Sequence, residues 1–137
     1  MGGDETAEAA EPGVEQLLKR AGAISYLHIP AVDVHEAARF YEAALGWTVR
    51  DHDDDRPTFD DGSGHVSGAW MTDQAVVREP GLMLFIYVDA IDDVVARIAA
   101  HGGEVVRAPY AEGNLLVATF RDPAGNILGL WQEVVAN

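Results

Sequence analysis

The chain has 137 residues, enough for one domain with a sizeable core and too few for two. It contains no cysteine, which excludes disulfides, thiolate nucleophiles and iron–sulfur or zinc-thiolate sites. A formal charge of −14 repels phosphate backbones and anionic membrane surfaces, so neither nucleic acid nor membrane is an expected partner, whereas a cationic small molecule is electrostatically favoured.

Residues 1–22 read as an acidic tail followed by a short helix that uses Val14, Leu17 and Leu18. The opening residues lack the basic start and apolar stretch of a secretory signal, so a cytoplasmic location is expected. No stretch of eighteen apolar residues occurs. From 23 to 136 the chain reads as a single domain of two modules, 24–72 and 81–134. In the first, Ile24 to Ala31 alternates as a strand with two unlike faces. Asp33-Val34-His35-Glu36 is a capping-box pattern that opens a helix, whose apolar stripe is Val34, Ala37, Ala38, Tyr41 and Leu45. Gly46 ends it, and Trp47 to Arg50 leaves as a strand. The aspartate-rich stretch 51–61 reads as a solvated loop, and His65 to Thr72 as the next strand.

The pattern then restarts. Gly81 to Val88 reads as an apolar strand and Asp89 as a helix cap. Ile91, Val94, Val95 and Ile98 form a buried stripe, His101-Gly102-Gly103 stops the helix, and Glu104 to Arg107 leaves as a strand. Asp33 to Gly46 and Asp89 to Gly102 are both thirteen residues apart, a duplication at an offset of 56. A hairpin at Glu112-Gly113-Asn114, a strand Leu115 to Phe120, a turn at Asp122 to Asn126 and a strand Ile127 to Val134 complete the second copy. The fold class is α+β: two βαβββ modules, each with its helix on one sheet face.

Two segments carry a family resemblance: His28-Ile29-Pro30-Ala31-Val32-Asp33 with Phe40-Tyr41 and Leu45-Gly46-Trp47, and Phe120-Arg121-Asp122-Pro123-Ala124-Gly125-Asn126 with Gly129-Leu130-Trp131-Gln132. Together they resemble the opening and closing signatures of the glyoxalase/bleomycin-resistance/extradiol dioxygenase (vicinal oxygen chelate) superfamily. The resemblance implies a homodimer of cupped sheets. In the metal-dependent enzymes of that superfamily it also implies four inward-facing His, Glu or Gln ligands for a divalent ion. Here those positions fall on Tyr26, Gly68, Met83 (with Leu82 as neighbour) and Gly129, which are not normal ligands. No metal or other cofactor is therefore expected. A displaced site would have to draw on His28, His65 and Glu133.

Strand alternation then lines the cup with Tyr26, His28, Trp70, Met83 and Trp131, bordered by Tyr110 and Tyr87, with room left by Gly68 and Gly129. Aromatic walls suit a planar or cationic ligand. The leading expectation is thus a small-molecule-binding protein that sequesters or carries an aromatic or cationic natural product or metabolite. The alternative is a glyoxalase-like lyase, isomerase or dioxygenase that uses a relocated metal or acid–base chemistry by His28 and Tyr26.

Overall fold

A computed structural model describes residues 19–134, so the expected helix near Val14 to Leu18 lies outside the described residues. The elements run β1 (Tyr26–Pro30), α1 (Val34–Leu45), β2 (Thr48–Arg50), β3 (Thr58–Asp60), β4 (Ser67–Met71), β5 (Phe85–Tyr87), α2 (Ile91–Ala100), β6 (Glu104–Glu112), β7 (Leu115–Arg121) and β8 (Ile127–Glu133). They build two four-stranded mixed sheets of matching order, β1-β4-β3-β2 and β5-β8-β7-β6. In each sheet the first strand of the module runs parallel to the last and the remaining pairs are antiparallel. This is the expected duplicated α+β architecture.

The local chemistry of α1 follows the sequence. Asp33 accepts from the amides of His35 and Glu36 at 3.0 and 3.1 Å, and Gly46 closes the helix with φ 73°. The second helix departs from it. Its N-cap is Ala90, which has no side-chain acceptor, and the amide of Ile91 donates instead to Oε1 of Gln132, 2.8 Å away on β8. Asp89 is therefore not the cap. The strand expected over Gly81 to Val88 shortens to three residues, with Met83 ahead of it. The aspartate-rich segment is not all solvated loop either, because it contains β3 and the buried Asp60.

One core joins the modules. Ala37, Phe40, Tyr41 and Ala44 of α1 meet Ile91, Val94 and Ile98 of α2, and Leu128, Leu130, Ala118 and Phe120 of the second sheet complete it. Phe40 and Phe120 bring their rings to 6.2 Å across the module boundary. Within the first module Tyr41, Trp47, Phe59 and Trp70 form a continuous aromatic stack with successive centroids 4.7 to 4.8 Å apart. Burying four such rings, each removing 150–250 Å² from water, is a large share of the hydrophobic stabilisation.

The turn Asp122 to Asn126 is the polar half of the joint. Oδ1 of Asp122 accepts from the amides of Ala124, Gly125 and Asn126 at 3.1, 3.1 and 2.9 Å. Its Oδ2 accepts from the Tyr41 hydroxyl at 2.8 Å and from Nδ2 of Asn126 at 2.9 Å. Asn126 reaches further: Nδ2 donates to the Pro30 carbonyl at 2.6 Å, and Oδ1 accepts from the Val77 amide at 2.8 Å. The closing signature is thus a structural tie between β1, the connector and β8. Burial pushes the Asp122 carboxyl up, against its hydrogen bonds from Asn126 and Tyr41. Burial, then the charge of Asp122, drives the Tyr41 phenol well above its ordinary value.

Candidate functional site

The helices cover one face of each sheet, and strand registers decide what stands on the other. Ile29 pairs with Trp70, and both are buried on the helix side. Trp70 is 0% exposed and packs on Tyr41 and Phe59, so it does not line the cup. Gly68 shares that inner face, and a Cβ there would lie 2.4 Å from the Phe59 ring and 2.2 Å from the Leu27 carbonyl. Gly129 does stand on the outer face, opposite Phe85, but a Cβ on it would lie 2.6 Å from the Phe85 ring. Both glycines make room for a neighbouring ring of this chain and leave no vacancy for a ligand.

On the first sheet the outer face carries Tyr26 and His28, with ring centroids 5.8 Å apart in an edge arrangement. Both are exposed, and Nδ1 of His28 takes a hydrogen bond from Nε2 of Gln74 at 3.1 Å, a partner that no sequence pattern flagged. That contact leaves the proton of the neutral ring on Nε2. The same face carries a polar knot. Asp60 accepts from Ser67 Oγ at 2.5 Å on one oxygen and from Nε and Nη2 of Arg50 on the other. The hydrogen bonds it donates to Asp60 raise the Arg50 guanidinium above its ordinary value.

On the second sheet, Phe85 pairs with Gly129 and Tyr87 with Trp131, whose rings meet edge to face at 4.8 Å. Phe85 and Tyr87 are each 50% exposed. Partial desolvation first, then Asp89 and Glu133, push the Tyr87 phenol up. Glu133 follows Trp131 by two positions on β8 and so shares its face, and Asp89 follows Tyr87 by two just past the end of β5. Tyr110 lies two strands away, where the Arg107 guanidinium sits 3.5 Å above its ring. Met83 is half-buried ahead of β5. The expected residues therefore separate: Trp131 joins Tyr87 and Phe85, Tyr26 joins His28 on the other sheet, Tyr110 is occupied by Arg107, and Trp70 belongs to the core.

The outer positions expected for metal ligands offer a phenol at Tyr26, a thioether at Met83 and no side chain at Gly129, a poor donor set for a hard or borderline divalent ion. Among the described residues no group of three or more His, Asp or Glu could hold a metal ion, so His28, His65 and Glu133 do not converge.

A cleft of about 440 Å³ runs along the open edge of β5. Leu45, Trp47, Ile86 and Val88 supply its apolar walls, and the turn Asp61-Gly62-Ser63 faces Phe85 and Tyr87 across it. This volume falls within the range of small-molecule pockets. Among the described residues no helix is long and apolar enough to cross a membrane.

A family model described as "Glyoxalase-like domain" matches residues 26–130. The proteins named "Putative glyoxylase CFP32" of Mycobacterium bovis and Mycobacterium tuberculosis are 29% identical over an aligned length of 126 residues that covers 82% of this chain. The chain spans about half, 46%, of the length of those relatives. Among solved structures, a glyoxalase/bleomycin resistance protein/dioxygenase family enzyme from Burkholderia phytofirmans PsJN superposes with a TM-score of 0.65 at 18% identity, covering 82% of this chain and 100% of that one. TnmS3, an antibiotic binding protein from Streptomyces sp. CB03234, superposes with a TM-score of 0.63 at 24% identity, covering 82% and 96%.

Proposed function

The chain belongs to the glyoxalase-like domain family, and from that premise we propose that it binds an aromatic or cationic small molecule without the metal of the family's enzymes. The observation that carries this reading is the half-exposed Tyr87–Trp131 pair with Asp89 and Glu133 beside it. Ring faces and carboxylates together attract a cation that also stacks. The net charge of −14 draws such a ligand from a distance. Similarity to an antibiotic-binding protein supports the same reading, as does the donor set at the expected ligand positions.

The test is a titration with benzyltrimethylammonium, an aromatic cation that carries no N–H. The side-chain indole resonance of Trp131 should shift saturably with a midpoint below about 1 mM, and Trp131→Ala or Tyr87→Ala should weaken binding about tenfold, the worth of one cation–π partner at a partly desolvated site. A flat titration, or variants that bind as tightly as the parent, refutes the reading.

A further inference from the structure

The duplication makes each module a template for the other, and at one place the copies differ. The turn after β3 and the turn after β7 begin alike, the first being longer by one residue, His65. Asp61 Oδ1 accepts from the amides of Ser63 and Gly64 at 3.1 and 3.0 Å, as Asp122 Oδ1 does from Ala124 and Gly125. Gly64 and Gly125 both take the left-handed conformation, at φ 76° and 105°, where a side chain would be strained. The Asp61 amide closes the first turn on the Val66 carbonyl, and the Asp122 amide closes the second on the Asn126 carbonyl. Counted from the glycine, His65 follows Gly64 as Asn126 follows Gly125, but counted back from the paired strands, from Met71 opposite Pro30 and Trp131 opposite Tyr87, Val66 stands where Asn126 does.

The targets of the two turns correspond as well. The amide of Ala31 donates to Met71 and that of Val88 to Trp131, both at 2.9 Å, which makes Pro30 and Tyr87 equivalent. In one copy the Pro30 carbonyl points away from β4 and receives Nδ2 of Asn126. In the other, strand alternation turns the Tyr87 carbonyl away from β8 in the same sense, toward the 440 Å³ cleft, and Val66 has no amide to offer it. Among the described residues nothing donates to that carbonyl, nor to Oδ2 of Asp61 on the facing turn.

We infer that the cleft between β5 and the Asp61-Gly62-Ser63 turn is a binding site for a planar N–H-donating cation, an amidinium or aryl ammonium, whose N–H takes the place that Asn126 Nδ2 holds in the other module. The Tyr87 carbonyl and the Asp61 carboxylate receive its hydrogens, and Leu45, Trp47, Ile86 and Val88 hold its plane. This rests on the ligand-binding reading above and adds the class of ligand. Quaternary cations satisfy the aromatic pair but leave the carbonyl without a donor.

The experiment compares benzamidinium with benzyltrimethylammonium on four proteins: the parent, Val66→Asn, Val66→Leu and Trp131→Ala. In the parent, benzamidinium should bind at least tenfold tighter, the worth of a hydrogen bond from a charged donor, and should move the Tyr87 carbonyl carbon resonance. Val66→Asn supplies the missing amide from within and should erase that preference, while Val66→Leu should keep it. The carbonyl shift in the parent decides the matter even if a variant folds poorly. Equal affinity for the two cations, or a Tyr87 carbonyl that does not move, overturns this inference while leaving the reading of the Tyr87–Trp131 pair intact. Binding of benzamidinium with a carbonyl shift but no response to Trp131→Ala upholds the cleft and overturns that reading. Failure of both cations to bind overturns both.

Discussion

Replacing Asn126 by alanine should strongly destabilise the fold. Asn126 is 3% exposed and makes three contacts, to the Pro30 carbonyl, the Val77 amide and Asp122. The buried Pro30 carbonyl loses its donor, which costs about 1–3 kcal/mol, the half-buried Val77 amide adds about 1, and the weakened support of Asp122 about 1 more. The sum is about 3–5 kcal/mol, or roughly 10–15 °C in the unfolding midpoint for a domain of this size. Calorimetry and urea unfolding followed by circular dichroism measure both quantities. Ser63→Ala, in the pseudo-equivalent exposed turn, should cost less than about 1 kcal/mol. An Asn126→Ala protein within about 1 kcal/mol of the parent, or one no less stable than Ser63→Ala, would show that this turn does not tie the modules together.

Further outcomes follow from the same geometry. Tyr41→Phe removes a buried hydrogen bond to a carboxylate and should cost about 1.5–3 kcal/mol in chemical denaturation. Because the folded Tyr41 phenol titrates well above the unfolded value of 10.0, the unfolded chain ionises first. Stability should therefore fall as pH rises past about 10, and Tyr41→Phe should flatten that slope. The raised Asp122 carboxyl acts at the acid end. The folded state takes up its proton before the unfolded chain does at 3.8, so between the two values this group adds stability as pH drops. Gly68→Ala should cost about 3 kcal/mol or more, since its Cβ meets the Leu27 backbone, whereas Gly129→Ala meets only the half-exposed Phe85 ring and should cost about 1. Equal costs by thermal melting would contradict that difference. Arg50→Ala leaves the buried Asp60 with Ser67 alone and should destabilise by about 1–3 kcal/mol, read in the same melts.

The duplicated βαβββ plan was legible because its signals are local. Asp33 caps, Gly46 stops, and apolar residues at helical spacing mark α1 and α2. What could not be read was facing. Trp70 and Gly68 sit one strand position away from outward-facing neighbours, and a one-residue shift of parity moves a side chain from cup to core. Asp89 has the sequence look of a cap, but the acceptor that serves α2, Gln132, lies 41 residues after Ile91 and no local spacing announces it. Gln74 beside His28 is hidden for the same reason, 46 residues from its partner. Tyr87 and Trp131 could have been paired beforehand by aligning the two copies, since Tyr87 is to β5 what Pro30 is to β1.

The unlike turns bear on how this fold can change. One loop is locked into the interior through Asn126, so insertion there would separate the modules. Its sibling, residues 62–65, rests mainly on its own Asp61 and borders open space. A library randomised over 62, 63 and 65, with Gly64 kept for its left-handed backbone, should yield mostly folded proteins that differ in what they hold, which makes this rim the natural place for new specificities to arise while the scaffold stays fixed.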